Sequence, residues 1–165
     1  VPRPPGILAL VVDGILSSDI VKQGNATLSL SIVQIRHDLL FDLLPENLSQ
    51  VQASADRPFF KNHPLLGFQV IGAHEEPIQN LKDLDELLDF SLQRQALLST
   101  SVLASTAAYH TLYSLRLERR SGKGSSTSSS SSSSSASTSG PSYSSSFLRF
   151  FDLAGSHQTP ECSSP

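Results

Sequence analysis

Residues Phe147–His157 read FLRFFDLAGSH. An apolar run stops at Asp152 and passes directly into Leu153-Ala154-Gly155-Ser156. Nucleotide-hydrolysing α/β proteins use this device to set a metal-directed carboxylate at the C-terminal edge of a strand, beside a glycine amide that senses phosphate. Asp and Gly are also the commonest turn residues, so the pattern read alone is a strand ending in a turn. The neighbouring elements must decide between the two.

Working outward, residues 121–146 are almost pure Ser, Thr and Gly and offer too little apolar surface to offset the entropy of ordering. They are expected to form a disordered loop between two strands. Gly122-Lys123-Gly124-Ser125 is not a phosphate loop, because Leu117 stands where the first glycine of that motif belongs. Upstream, HTLYSLRLER alternates, with Tyr113, Leu115 and Leu117 on one face, and predicts a strand over 110–118. NLKDLDELLDFSLQRQALL carries Leu81, Leu84, Leu87, Leu88 and Leu92 at helical spacings, with acids early and Arg94 late, as the helix dipole favours. This leucine stripe is expected to be core.

GFQVIGA predicts a short strand over 67–73, and 46–66 is polar and punctuated by proline. The alternation of Leu28, Leu30 and Ile32 with Ser29 and Ser31, running into VQIR, predicts a half-buried strand over 27–35. The HDLLFDLLPEN segment that follows is expected to be a short helical or irregular piece stopping at Pro45, and ILALVVDGILSS a short buried helix ending near Ser17.

Composition narrows the partners. With 12 basic and 15 acidic residues the net charge is −3, which supplies no general basic field for nucleic acid and no polybasic anchor for a membrane. No apolar run reaches bilayer length. The single cysteine, Cys162, excludes an intrachain disulfide and fits a reducing compartment, so a cytoplasmic setting is expected. The chain starts without methionine and is expected to be part of something longer. His37, His63, His74 and His157 show no metal-ligand spacing on one face.

Taken in order, a helix after Pro2-Arg3, the strand LSLSIVQIRHDLLFDLLPENL, the helix LKDLDELLDFSLQRQALLSTSVLASTAAYH, a strand running from that His110, a loop and finally FLRFFDLAGSH resemble the middle of a kinesin motor domain. The resemblance covers residues 1–118 and 147–157. In that family the corresponding segments include a VSYLEIYNEEIRDLL strand, a switch I of the form N-x-x-S-S-R-S-H and a switch II VDLAGSE. The resemblance implies an α/β fold, part of the P-loop-NTPase-like kinesin motor, with the strands at 27–35, 67–73, 110–118 and 147–152 in one mixed, twisted sheet and helices on both faces. It implies a partial motor domain over 1–157 and a polar tail over 158–165. It also implies ATP and Mg as cofactors, microtubules as partner, a cytoskeletal location and ATP-driven movement as the family activity.

Carried over residue by residue, Asp152 falls at the position of the acid directed to Mg through water, and Gly155 at that of the γ-phosphate-sensing glycine. His110 matches the switch I histidine. Counting back from it, Tyr109, Ala108, Ala107, Thr106 and Leu103 fall at the Ser, Arg, Ser, Ser and Asn positions, so of the hydroxyl-bearing Ser positions only Thr106 keeps an aliphatic hydroxyl. The family's gate pairs the switch I arginine with the glutamate that closes switch II. Here Ala108 and His157 stand in their places, so both charges are lost together and a weakened or absent hydrolysis is expected. No Walker-type glycine loop with its lysine occurs in the sequence. A catalytically inactive relative acting as an interaction module is the alternative.

Overall fold

The computed structural model describes residues 5–36, 38–44, 57–64, 67–100, 109–121 and 142–154. In chain order these form α1 (Ile7–Leu16), α2 (Asp19–Lys22), β1 (Ala26–Arg36), β2 (Leu39–Asp42), β3 (Phe59–His63), β4 (Gly67–Ile71), β5 (Glu76–Ile78), α3 (Leu81–Thr100), β6 (His110–Ser121) and β7 (Ser142–Asp152). The predicted helix at the start, the strands from Thr27 and His110 and the long amphipathic helix are all present, but the first helix is not buried as expected: in α1 only Val12 is buried, while Ile7 and Leu10 are exposed. Gly24, at φ 69°, ends α2 with the bonds Asn25 N–H to Ile20 O and Gly24 N–H to Val21 O, a Schellman closure that sends the chain straight into β1.

The main sheet runs β2-β1-β6-β7, with β5 also on β1, and every pairing in it is antiparallel. The sheet is therefore antiparallel among the described residues, not mixed. Register sets the two faces. Leu28, Leu30 and Ile32 lie opposite Leu117, Leu115 and Tyr113, and Leu28 opposite Ile78. This apolar face packs with Val12 of α1 and Leu84 and Leu98 of α3 in one core. Both longer helices thus cover the same face, so the expectation of helices on both faces holds on one face among the described residues.

The strand expected over 67–73 does not join this sheet. Gly67–Ile71 pairs with Phe59–His63 in a separate hairpin, and the Phe59–His63 strand lies within the 46–66 stretch read only as polar and punctuated by proline. Side chains tie the hairpin and the segment after it to the main sheet. Arg149 Nη2 donates to Gln69 Oε1 at 3.1 Å, and Arg116 spans Glu75 and Glu118, each at 2.9 Å. The hydrogen bond to Glu75 raises the Arg116 pKa above its ordinary value against the opposing effect of burial. Asp42, itself buried, accepts from the backbone N–H groups of Leu44 and His74 and lies 3.1 Å from His74 Nδ1.

Three further boundaries differ from the sequence reading. Leu39–Asp42 is a strand on β1 and not helical, turned back through a two-residue connection with Asp38 at φ 64°. The serine-rich segment contributes Ser142–Ser146 to β7, opposite Leu117–Ser121 of β6. The ladder supplies a backbone partner for each of these residues, which outweighs their low intrinsic strand preference. In α3 the buried line runs through Leu84, Ser91, Arg94 and Leu98, while Leu81 is 39% and Leu92 57% exposed. Seven residues return a helix to nearly the same angle and eight overshoot it, so Ser91 follows Leu84 inward and Leu92 does not. None of the described helices is long and apolar enough to cross a membrane.

Candidate functional site

The β6–β7 ladder closes at the pair Thr111–Asp152. The strand running in from His110 and the strand running out at Asp152 are therefore neighbours, and the two sequence motifs meet at one end of the sheet. Alternation then separates their side chains. Asp152 shares the helix-covered face with Thr111 and Tyr113, and His110 belongs to the opposite face with Leu112.

On the helix face, Gln95 Nε2 donates to Thr111 Oγ1 at 3.2 Å, joining α3 to the start of β6. Asp152 is exposed, and among the described residues it accepts no hydrogen bond and forms no ion pair. Tyr113 sits alongside, and its phenol pKa is raised first by burial and then by the charges of Asp152 and Tyr109.

The same end of the sheet holds two residues that the sequence reading passed over as ordinary strand positions. Gln34 is fully buried, and Arg36 is 8% exposed. Arg36 Nε donates to Gln34 Oε1 at 2.9 Å, and its Nη1 donates to the Leu98 carbonyl at 3.3 Å, so it ties the end of β1 to the last part of α3. Its guanidinium lies 5.1 Å from the centre of the Tyr109 ring. Burial lowers the Arg36 pKa, opposed by Tyr109. Gln34 Nε2 and Arg36 Nη2 are buried and, among the described residues, have no hydrogen-bond partner. The signal in the sequence was two polar residues two apart at the end of an otherwise apolar strand face.

On the other face, the imidazole of His110 reaches past the end of the ladder. The backbone N–H of Ala154 donates to His110 Nδ1 at 3.0 Å. This is a direct bond between the segment that opens β6 and the segment that follows Asp152.

Of the residues singled out in the sequence, Tyr109, His110 and Asp152 are described and lie together at this end. Leu103, Thr106, Ala107, Ala108, Gly155 and His157 lie outside the described residues, as do His37 and the Gly122–Ser125 stretch. Among the described residues no three His, Cys, Asp or Glu side chains gather to hold a metal ion. Mg²⁺ demands near-octahedral oxygen coordination. A lone carboxylate at Asp152, with an aromatic phenol at Tyr109, does not make that site by itself.

The family description "Kinesin motor domain" matches residues 2–164 of the chain. A solved structure described as "Structure of a fast kinesin: Implications for ATPase mechanism and interactions with microtubules" has the same fold, with a TM-score of 0.65 at 18% identity. The match covers 93% of this chain, which spans 38% of the length of that one. No curated protein sequence matches.

Proposed function

The chain belongs to the kinesin motor-domain family, and from that premise we propose that it is the central part of a microtubule motor, the part in which the two nucleotide-responsive segments enter the sheet. ATP-driven movement on microtubules is then the activity of the whole motor, with ATP and Mg as its cofactors, tubulin as its track and the cytoskeleton as its location. The family binds ATP and microtubules, and this chain is assigned a share of that work through its position in the fold. Its organisation in this reading is a partial motor domain over 1–157 with a serine-rich insertion between β6 and β7, followed by a polar tail over 158–165.

The observation that carries the proposal is that the strand opening at His110 and the strand ending at Asp152 are neighbours whose ladder closes at Thr111–Asp152, with no hydrogen bond or ion pair to the Asp152 carboxylate among the described residues. In this reading Asp152 is the acid directed toward the metal, Gly155 is the amide facing the terminal phosphate, and Thr106 and His110 are what remains of switch I. The described donors are too few to hold Mg²⁺, and the sequence has no glycine-rich phosphate loop. Transfer chemistry that depends on positioning has no such cradle in this sequence, and weakened or absent hydrolysis by the chain alone is the expected outcome.

A second reading, a non-catalytic interaction module derived from the motor fold, is favoured by one feature. Tyr109 stands at a family hydroxyl position with its ring 5.1 Å from the Arg36 guanidinium, an aromatic contact in place of a small metal-directed group. Equilibrium binding of a fluorescent ATP analogue with Mg²⁺ separates the two readings. The expected result is no binding by the 165-residue chain and saturable binding by a product of the same gene extended upstream to include a glycine-rich loop. Absence of binding by both would replace the motor reading with the interaction module.

A further inference from the structure

We propose that His110 is a positioning residue whose Nδ1 holds the chain immediately after Asp152 by accepting the Ala154 backbone N–H. The inference rests on the motor reading for its significance and on geometry for its content. The β6–β7 ladder ends at Thr111–Asp152, so residues 153–154 have left the register that holds the strand. Among the described residues, His110 is the side chain that hydrogen-bonds to them, at 3.0 Å. Leu153 is 69% exposed, so its own side chain contributes little packing that would hold the segment.

The donor is a backbone amide, which has no acceptor capacity, so the roles in this bond are unambiguous. His110 Nδ1 carries the lone pair, and the neutral ring carries its proton on Nε2. The residue that begins β6 thereby sets the direction in which the chain leaves β7. Displacement of residues 153–154 pulls on the start of β6, and displacement of the start of β6 pulls on them. This link survives in a chain whose Ala108 and His157 have lost the charge pair that the resemblance leads one to expect between the same two segments.

Asparagine provides the discriminating substitution. Its amide oxygen occupies nearly the position of Nδ1 relative to the backbone, whereas alanine removes the acceptor and glutamine places its oxygen about where Nε2 was. The test is amide hydrogen exchange of the full chain, read residue by residue by NMR. The wild type and His110→Asn are expected to protect the Ala154 amide, while His110→Ala and His110→Gln exchange it roughly two- to tenfold faster, with Leu112 and Leu115 unchanged. Asn and Ala both delete the ring, so a difference between them reports the acceptor and not lost packing. Equal protection of Ala154 in wild type and His110→Ala, or loss of it in His110→Asn with the ladder intact, would overturn the proposal. The measurement uses no nucleotide, so it can fail while the ATP-binding result stands, and the reverse.

Discussion

β1 and β7 are both eleven residues long and both pair along their length with β6, yet they are held very differently. In β1, Leu30 and Ile32 are completely buried, with β2 and β5 on one edge, β6 on the other and two helices above. In β7, Leu148 is 44% and Phe151 57% exposed, and among the described residues β6 is the single neighbour. The strand that carries the candidate chemistry at its end is thus much less enclosed than β1. Apolar side chains along an unpaired edge invite association.

The sharpest way to break this contrast is to truncate matched leucines. Leu30→Ala is expected to destabilise the fold by about 2–5 kcal/mol through lost burial and a residual cavity, and Leu148→Ala by less than about 1 kcal/mol. Urea midpoints at constant m-value measure both, and similar losses would mean that β7 is buried in solution. The two strand-ending acids give the next largest difference. Asp42→Ala leaves the Leu44 and His74 amides without their acceptor and should cost about 2–3 kcal/mol. Asp152→Ala removes no partner among the described residues and should stay within about 0.5 kcal/mol. A large effect at Asp152 would show that it is structural, and would count against a ligand-facing role.

The smallest effect lies at the start of α3, the helix that covers β1. Asp83 accepts the backbone N–H groups of Gln79 and Asn80, while Asn80 Oδ1 accepts the Asp83 N–H, a reciprocal cap. The Gln79 bond, first among several causes, lowers the Asp83 pKa below the ordinary carboxylate value. A group whose folded pKa is depressed stabilises above its unfolded pKa and loses that contribution as pH falls through the folded value. The first turn of α3 should therefore loosen in acid, beginning near the ordinary aspartate range and finishing below it. Gln79 and Asn80 amide shifts followed against pH check this, and Asp83→Asn should remove the titration.

How legible each part was depends on the kind of signal it carried. β1 and β6 alternate apolar and polar residues, and one buried face imposes that two-residue period directly. β2 is ambiguous in sequence because Asp42 alone interrupts the apolar residues of LLFDLL, and a short, nearly continuous apolar run fits a buried strand and a helix equally. The first half of β7 was hidden because serine carries no burial signal, and those residues are strand through backbone pairing with β6. At the candidate site, Asp152 and His110 were marked by motif, but Gln34 and Arg36 were not, since nothing local says that an arginine on a strand end will be buried beneath a helix 62 residues further on.

Local pattern was enough to establish the order of the main helices and strands, the apolar face of the inner sheet and the family to which the chain belongs, because burial periodicity and short motifs are written in neighbouring residues. Which strands pair, that both longer helices share one face, that residues 59–71 form their own hairpin, and that His110 faces away from Asp152 yet bonds to Ala154 all depend on contacts between distant segments. Those contacts are settled by register, since a shift of one residue would carry every side chain to the other face of the sheet.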